Sequence, residues 1–104
     1  MSSFEVTAID GGRRLKLPAV LDLLAAEGLR EAIRETAVLG GRLEIDAAQV
    51  ERMSTPCIQV LVAGGRALNA AGVVPLIDQP SDAFMNGFYD LGLALELADW
   101  TIRQ

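Results

Sequence analysis

Short segments of strand-type sequence alternate with longer segments of helical period along this chain of 104 residues, and the alternation restricts the folds open to it. Residues 4–8 place apolar and polar side chains in turn, which predicts a half-buried strand. Asp10-Gly11 is a strong hairpin signal, because glycine takes up positive φ at no steric cost. Leu15 and Leu17 continue the two-residue period, so we expect the chain to open on a β-hairpin that Pro18 ends.

A helix is predicted to begin after Asp22. Its carboxylate can accept hydrogen bonds from the free amides of the first helical turn, and it suits the positive end of the helix dipole. Four apolar residues then share one helix face: Ala26, Leu29, Ile33 and Ala37. The glutamates and arginines of this segment are predicted to lie on the solvent side, and Gly40-Gly41 ends the helix as a left-handed C-cap.

Two predicted strands flank a second helix. Leu43–Asp46 forms the first, and residues 73–77 are nearly continuous β-type sequence, as in a buried strand. Pro75 lacks an N–H, so we expect one side of that strand to be free or bulged near it. The helical segment between them, residues 58–71, is rich in small residues, and Gly64-Gly65 is interpreted as a site of close packing.

The last third of the chain predicts one more helix and an ambiguous tail. Ser81 is a plausible cap, Phe84, Phe88 and Leu91 follow at helical spacing, and Gly92 ends the helix.

The tail, residues 93–104, fits either period, with a short strand around Leu95–Leu97 as one option. The element order is therefore β-β-α-β-α-β-α with room for a final strand. We find no linker or repeat and expect a single domain over residues 1–104. Its fold class is predicted to be α/β, a mixed sheet with helices packed against it.

The side-chain inventory excludes several functions. Without histidine, and with Cys57 as its one cysteine, the chain cannot build a Ser-His-Asp site, a histidine metal site or an intrachain disulfide. A net charge of −5 disfavours nucleic-acid binding, and the apolar runs are too short for membrane insertion. Residues 1–5 lack the features of a secretory signal. We therefore expect a cytoplasmic domain without a metal or cofactor.

Catalysis is the least favoured class of function. The remaining candidate groups, which include Lys16, Tyr89 and Cys57, form no recognisable pair. A helix N-terminus could activate the Cys57 thiol, although burial within the helix is its more common fate. Asp78 has no acid or base near it in the sequence and is interpreted as a turn residue.

Residues 53–58 contain the best candidate for a functional motif. Ser54 and Thr55 precede Pro56, and proline is favoured at the first helical position because its missing N–H has no helical partner there. Thr55 is therefore predicted as the N-cap of the second helix. A hydroxyl at a helix N-terminus also suits phosphorylation, since the added dianion meets the positive end of the dipole. On local sequence alone, the role of a simple cap is favoured.

In three segments, taken in order, the sequence resembles the STAS domain, the family of anti-sigma factor antagonists. Residues 43–57 follow the family's LxLDLSxVxxID strand and the Ser-Ser-Gly or Thr-Ala-Gly motif after it. Residues 21–29 resemble its entry into the first helix, and residues 88–93 resemble the end of its third helix. The resemblance implies a STAS-like α/β fold with four to five strands in a mixed sheet and three to four helices packed against it.

By this resemblance, Thr55 stands where such antagonists carry the serine that a partner kinase phosphorylates. Ser54, a second phosphorylation candidate, stands where they carry the preceding aspartate, while Pro56 and Cys57 replace the small residue and the glycine. These differences change the charge and the shape of the helix entry. The predicted partner-binding residues are Asp22, Ser54, Thr55, Pro56 and Cys57.

The resemblance implies a non-catalytic module that binds a protein partner. One hypothesis is a regulator of a kinase-type anti-sigma factor or of a chemotaxis-like signalling protein, switched by phosphorylation at Thr55. The alternative is a constitutive STAS subunit of a larger complex, such as a lipid-transport ATPase, in which Thr55 is never phosphorylated. The sequence leaves the oligomeric state open.

Overall fold

The computed structural model of the protein describes residues 4–73 and 75–104. Residues 1–3 lie outside the described residues, and they make up most of the N-terminal segment expected to lack a secretory signal. Val74, one position of the strand predicted at 73–77, also lies outside them.

A mixed five-stranded sheet forms the centre of the fold. Its strands, in chain order, are β1 (Glu5–Ile9), β2 (Gly12–Lys16), β4 (Arg42–Asp46), β6 (Pro75–Asp78) and β7 (Thr101–Arg103), and they lie side by side in that same order. β1 and β2 form the predicted antiparallel hairpin, with Gly11 at a φ of 80° in the turn. The other neighbouring strands are parallel, which confirms the mixed α/β fold.

Two very short strands, β3 (Val20–Leu21) and β5 (Arg52–Met53), form a separate parallel pair. Each leads directly into a long helix: α1 (Leu23–Leu39) follows β3, and α2 (Thr55–Ala70) follows β5. A two-residue strand is too short to show a sequence period, and neither strand was predicted from the local pattern. Their pairing places the starts of α1 and α2 next to each other.

The hydrophobic core lies between one face of the main sheet and the helices. Leu15, Leu43, Ile45 and Ile77 point from this face and are almost completely buried. They alternate along their strands with charged residues of the opposite face, as the pleat of a β-strand requires. α1 and α2 pack against each other over this core, so the sheet carries its long helices on one side.

Most of the predicted helix boundaries are confirmed. Asp22 caps α1 and Gly40, at a φ of 77°, ends it. Ser81 caps α3 (Asp82–Asp90), in which Phe84 and Phe88 are buried as predicted. Leu91 was expected on the same face, but it lies just past the helix end and is 45% exposed.

The tail differs from the suggestion of a strand around Leu95–Leu97. A 3-10 helix covers Ala94–Asp99, and the strand β7 comes later, at Thr101–Arg103. The sequence did not separate the two because apolar residues at 94–98 fit both periods. β7 pairs with β6 from Leu76 onwards, whereas Pro75 is paired with Leu43 of β4. The β7 side of Pro75 is therefore free, as its missing N–H predicts.

The two glycines inside α2 permit close packing, as predicted. A Cβ atom at Gly64 would lie 2.7 Å from Cδ1 of Ile33 on α1. A Cβ atom at Gly65 would clash with the ring of Trp100, whose Nε1 donates a hydrogen bond to the carbonyl of Leu61 at 3.0 Å. α2 is therefore fixed against both α1 and the tail. No helix among the described residues is long and apolar enough to cross a bilayer.

Candidate partner-binding site

The β3–β5 pair brings together the starts of α1 and α2. The Ser54 amide donates a hydrogen bond to the Leu21 carbonyl at 2.8 Å, which continues the pairing to the last residue before α2. Because both helices then run into the same layer, their positive N-terminal ends meet at one edge of the molecule. Asp22 and Ser54 thus lie at neighbouring helix entries although they are 32 positions apart in the sequence.

Asp22 begins α1 as the sequence predicted. Its Oδ1 accepts a hydrogen bond from the Ala25 amide at 3.0 Å, and the residue is exposed. Its carboxylate therefore serves two purposes at once, since it caps the helix and leaves a negative charge at the surface.

Ser54, not Thr55, is the N-cap of α2, so the predicted position of the cap is wrong. Ser54 is extended, with a φ of −76° and a ψ of 155°, and its Oγ accepts from the Cys57 amide at 3.5 Å. The contact with Leu21 fixes Ser54 in this extended form, so the helix starts one residue earlier than proline alone suggests. Thr55 is then the first helical residue and Pro56 the second, where its missing N–H is equally harmless.

This shift of the helix start leaves the Thr55 hydroxyl available. Thr55 is exposed, and within residues 4–73 and 75–104 its hydroxyl has no hydrogen-bond partner. A threonine that capped the helix would hold its oxygen against the first-turn amides. Because Ser54 makes that contact, Thr55 presents its hydroxyl to the solvent.

Cys57 is completely buried beneath the helix entry. Its thiol donates to the Asp22 carbonyl at a sulfur–oxygen distance of 3.2 Å and thereby ties α2 to the start of α1. Burial raises the pKa of the Cys57 thiol, the Ser54 contact lowers it in part, and the Asp22 charge raises it again. A raised pKa reduces the thiolate fraction, which is the opposite of what a nucleophile needs.

Of the five predicted partner-binding residues, four reach the surface. Asp22 and Thr55 are exposed, and Ser54 and Pro56 are half-buried. We call these four residues the helix-start surface. Cys57 lies below them and shapes the surface only through the contact with Asp22.

A second concentration of charge lies on the face of the main sheet that faces away from α1 and α2. Arg14 on β2 contacts Glu44 at 2.9 Å and Asp78 at 2.8 Å, and Arg103 on β7 contacts Asp78 at 2.8 Å. Arg42 contacts Glu44 at 2.7 Å and Asp46 lies 3.4 Å from Arg14, and we call these six residues the sheet-face network. Asp78 was interpreted as a turn residue, but it ends β6 and is only 6% exposed. Its partners are 64 and 25 positions away, too far for sequence spacing to reveal.

The arginines strongly affect the acid that they share. The hydrogen bond from Arg103 and, after it, the one from Arg14 lower the pKa of Asp78 to about 2, against the opposing effect of burial. Every buried side-chain nitrogen or oxygen of the described residues has a hydrogen-bond partner. The network is therefore saturated by its own members.

The groups considered for catalysis are not brought together. Lys16 lies on β2, opposite Asp46 in register, and Tyr89 lies on α3 with 54% of its surface exposed. Cys57 is buried between α1 and α2. Within the described residues, no group of three or more acidic or cysteine side chains is placed to hold a metal ion.

Two apolar residues at the start of α1 lie at the surface and were not predicted there. Leu23 is 68% exposed and Leu24 is 83% exposed. Their positions were a usable signal, because charged residues follow both leucines at helical spacing. Glu27 and Arg30 lie four and seven positions after Leu23, and Glu31 lies seven positions after Leu24. Leucines on the polar side of an amphipathic helix indicate a surface that something else covers.

Comparison with known proteins extends these observations. A family model described as "Mlab, STAS domain" matches residues 5–94. The solved structure of the anti-sigma factor antagonist SpoIIAA in its unphosphorylated form is similar, with a TM-score of 0.76 and 17% identity over 98% of this chain and 89% of that one. The phosphorylated form of the Bacillus cell fate determinant SpoIIAA gives a TM-score of 0.75 and 18% identity, over 98% and 91% of the two chains.

An anti-sigma-factor antagonist (STAS) domain protein from Planctomyces limnophilus is also similar. Its TM-score is 0.71 with 16% identity, over 97% of this chain and 89% of that chain. No curated protein matches the sequence significantly. At these identities the solved structures establish the shared fold.

Proposed function

Since this chain belongs to the STAS domain family, we propose that it is a non-catalytic regulatory module that binds a protein partner through the helix-start surface. The partner is a kinase-type anti-sigma factor or a chemotaxis-like signalling protein, and phosphorylation of Thr55 is the switch. Ser54 is the secondary acceptor. The proposal includes a cytoplasmic location, where a reducing environment keeps the single thiol of Cys57 free.

The exposed Thr55 hydroxyl at the joined helix starts is the observation that carries this proposal. A kinase needs an accessible hydroxyl on a segment that it can approach, and Thr55 offers both properties at the first helical position. Ser54 meets the requirement less well, because its oxygen already accepts from the Cys57 amide.

The contacts around Thr55 indicate how a phosphate would act. Two first-turn groups are unable to bind it: Pro56 has no N–H, and the Cys57 amide is taken by Ser54. The adjacent Asp22 carboxylate repels a dianion, while the helix dipole attracts it. We infer that a phosphate on Thr55 stays at the surface and changes the partner's contact without rearranging the helix entry.

The test measures binding of the partner that co-purifies from the native cells. We expect Thr55→Ala to retain it and Thr55→Glu to lose at least about tenfold in affinity, because a negative charge beside Asp22 opposes contact. Thr7→Glu is the matched control, since Thr7 is an exposed threonine on β1, away from the helix starts. Intact-mass measurement of the native protein should show one added phosphate that Thr55→Ala removes.

Equal binding by Thr55→Ala and Thr55→Glu would contradict the switch. The alternative function is then favoured, a constitutive subunit of a larger complex such as a lipid-transport ATPase. Its support is the helix entry itself, where Ser54 and Pro56 depart from the family pattern at the two positions flanking Thr55. It predicts a fixed complex and no phosphate on the native chain.

A further inference from the structure

The solvent-facing side of α1 has apolar ends and a charged middle. Four large apolar side chains at its two ends are mostly exposed: Leu23 (68%), Leu24 (83%), Val38 (81%) and Leu39 (74%). Between them lie five exposed charged residues, Glu27, Arg30, Glu31, Arg34 and Glu35. A monomer gains nothing from apolar residues at these positions, so this side of the helix has the composition of a contact surface.

The order of the residues is complementary to itself in the reverse direction. Three pairs of positions equally distant from the midpoint between Arg30 and Glu31 carry matching side chains: Leu23 with Val38, Glu27 with Arg34, and Arg30 with Glu31. Each pair therefore joins two apolar residues or two opposite charges. We call these six residues the α1 outer face. Leu24 and Leu39 lie opposite Ala37 and Asp22 and are not part of this match.

We propose that a second copy of this chain docks antiparallel on the α1 outer face and forms a symmetric dimer. A helix has an approximate two-fold axis perpendicular to its length at each point along it. A rotation about the axis through the Arg30–Glu31 midpoint places Glu27 of each copy opposite Arg34 of the other. The same rotation places Leu23 opposite Val38 and Arg30 opposite Glu31. An interface of this kind is closed, so it ends at two copies instead of growing into a filament.

The charges of the α1 outer face are available for these contacts. Within the described residues, Glu27 and Arg30 form no ion pair. Arg34 contacts Glu31 of its own helix at 3.7 Å, but both side chains are more than half exposed. Such an exposed pair is weak and can exchange for contacts across an interface from which water is partly excluded.

The surface is also large enough to position a partner helix. From Leu23 to Val38 it extends for about 22 Å, at 1.5 Å per residue. A groove of about 570 Å³ runs beside it between α1 and α2, and Pro56, Val60 and Ala63 form its far wall. Side chains of a second α1 can enter this groove, which adds apolar contact from α2 to the contacts of the two α1 helices.

The test uses charge reversal and measures mass over a concentration series by sedimentation. The chain has a mass of 11.1 kDa, and we expect the wild type to approach twice that value as concentration rises. Glu27→Arg and Arg34→Glu should each weaken association by about tenfold or more, because each places like charges at two symmetry-related contacts. Glu51→Arg, the same charge change at an exposed position outside α1, should leave association unchanged.

Restoration makes the test specific to the antiparallel arrangement. An equal mixture of Glu27→Arg and Arg34→Glu should associate again, because every contact between position 27 of one chain and position 34 of the other then joins opposite charges. The double variant should associate with itself for the same reason. Leu23→Ser and Val38→Ser should both weaken the wild-type dimer.

A wild-type mass of one chain at every concentration would overturn the proposal, and so would a mixture that fails to associate while the wild type does. The dimer rests on other residues than the proposed function, although Pro56 borders both surfaces. Thr55→Glu is expected to leave the mass unchanged, so loss of partner binding and loss of the dimer are separate results.

Discussion

The helix-start surface and the sheet-face network both concentrate polar side chains, yet they differ in how far those side chains satisfy one another. In the network, Asp78 accepts from Arg14 and Arg103, and Glu44 accepts from Arg14. At the helix starts, Asp22 and Ser54 each cap a helix, but the Thr55 hydroxyl has no partner among the described residues.

This difference separates a structural role from the functional role that we propose. A saturated cluster built on two buried carboxylates, those of Glu44 and Asp78, stabilises the fold only as long as it is complete, because removing one member leaves another without its partner. An exposed hydroxyl without a partner contributes little to stability and remains free for chemistry. Substitutions in the two regions should therefore have opposite profiles, with large effects on stability in the network and effects on binding at the helix starts.

The largest effect on stability is expected for Asp78→Asn. The substitution keeps the shape of the side chain but removes the charge that two arginines contact, so we expect the free energy of unfolding to fall by about 2 kcal/mol at pH 7. Chemical denaturation monitored by circular dichroism measures the change. Asp90→Asn is the matched control, because Asp90 is exposed at the end of α3, and it should change stability by less than about 0.5 kcal/mol.

The pH dependence identifies the charge as the cause. Because the folded state lowers the pKa of Asp78 from 3.8 to about 2, its contribution is complete above about pH 4 and is lost as the pH falls towards 2. The difference between the wild type and Asp78→Asn should shrink over that interval. A difference that stays constant from pH 7 to pH 2 would show that the charge is not the stabilising feature.

An intermediate effect is expected for Ser54→Ala. The variant removes the hydroxyl that accepts from the Cys57 amide, so we expect a loss of about 1 kcal/mol in the free energy of unfolding, a typical value for an N-cap. Ser54→Asp, which keeps an acceptor at the cap, should retain most of the stability. If Ser54→Ala were neutral and Thr55→Ala were costly, the assignment of the cap to Ser54 would be wrong.

The same contrast explains how much of the molecule the sequence could predict. The longer elements followed from local signals: the hairpin from Asp10-Gly11, and the helix starts from Asp22 and Ser81. The cap at Ser54 did not, because it depends on a hydrogen bond to Leu21 from a different part of the chain.

Long-range contacts account for the other differences between sequence and structure. Asp78 looked like a turn residue because its partners, Arg14 and Arg103, come from strands distant in the sequence. Most of the helix-start surface was accessible to prediction, since Asp22, Ser54, Thr55 and Pro56 all carry local signals of a helix entry. What the sequence did not reveal was which hydroxyl the cap would use and which it would leave free.

The smallest effect on stability is expected for Thr55→Ala, and that small effect is what distinguishes a free acceptor from a cap. Thr55 is exposed at the first helical position, and alanine has the higher helix propensity, so the free energy of unfolding should change by less than about 0.5 kcal/mol. The measurement is the same denaturation experiment, with Ser54→Ala alongside it. A loss of 1 kcal/mol or more would mean that the Thr55 hydroxyl stabilises the helix entry. Thr55 would then have a structural role, and the contrast between the sheet-face network and the helix-start surface would not hold at the residue on which the proposed switch depends.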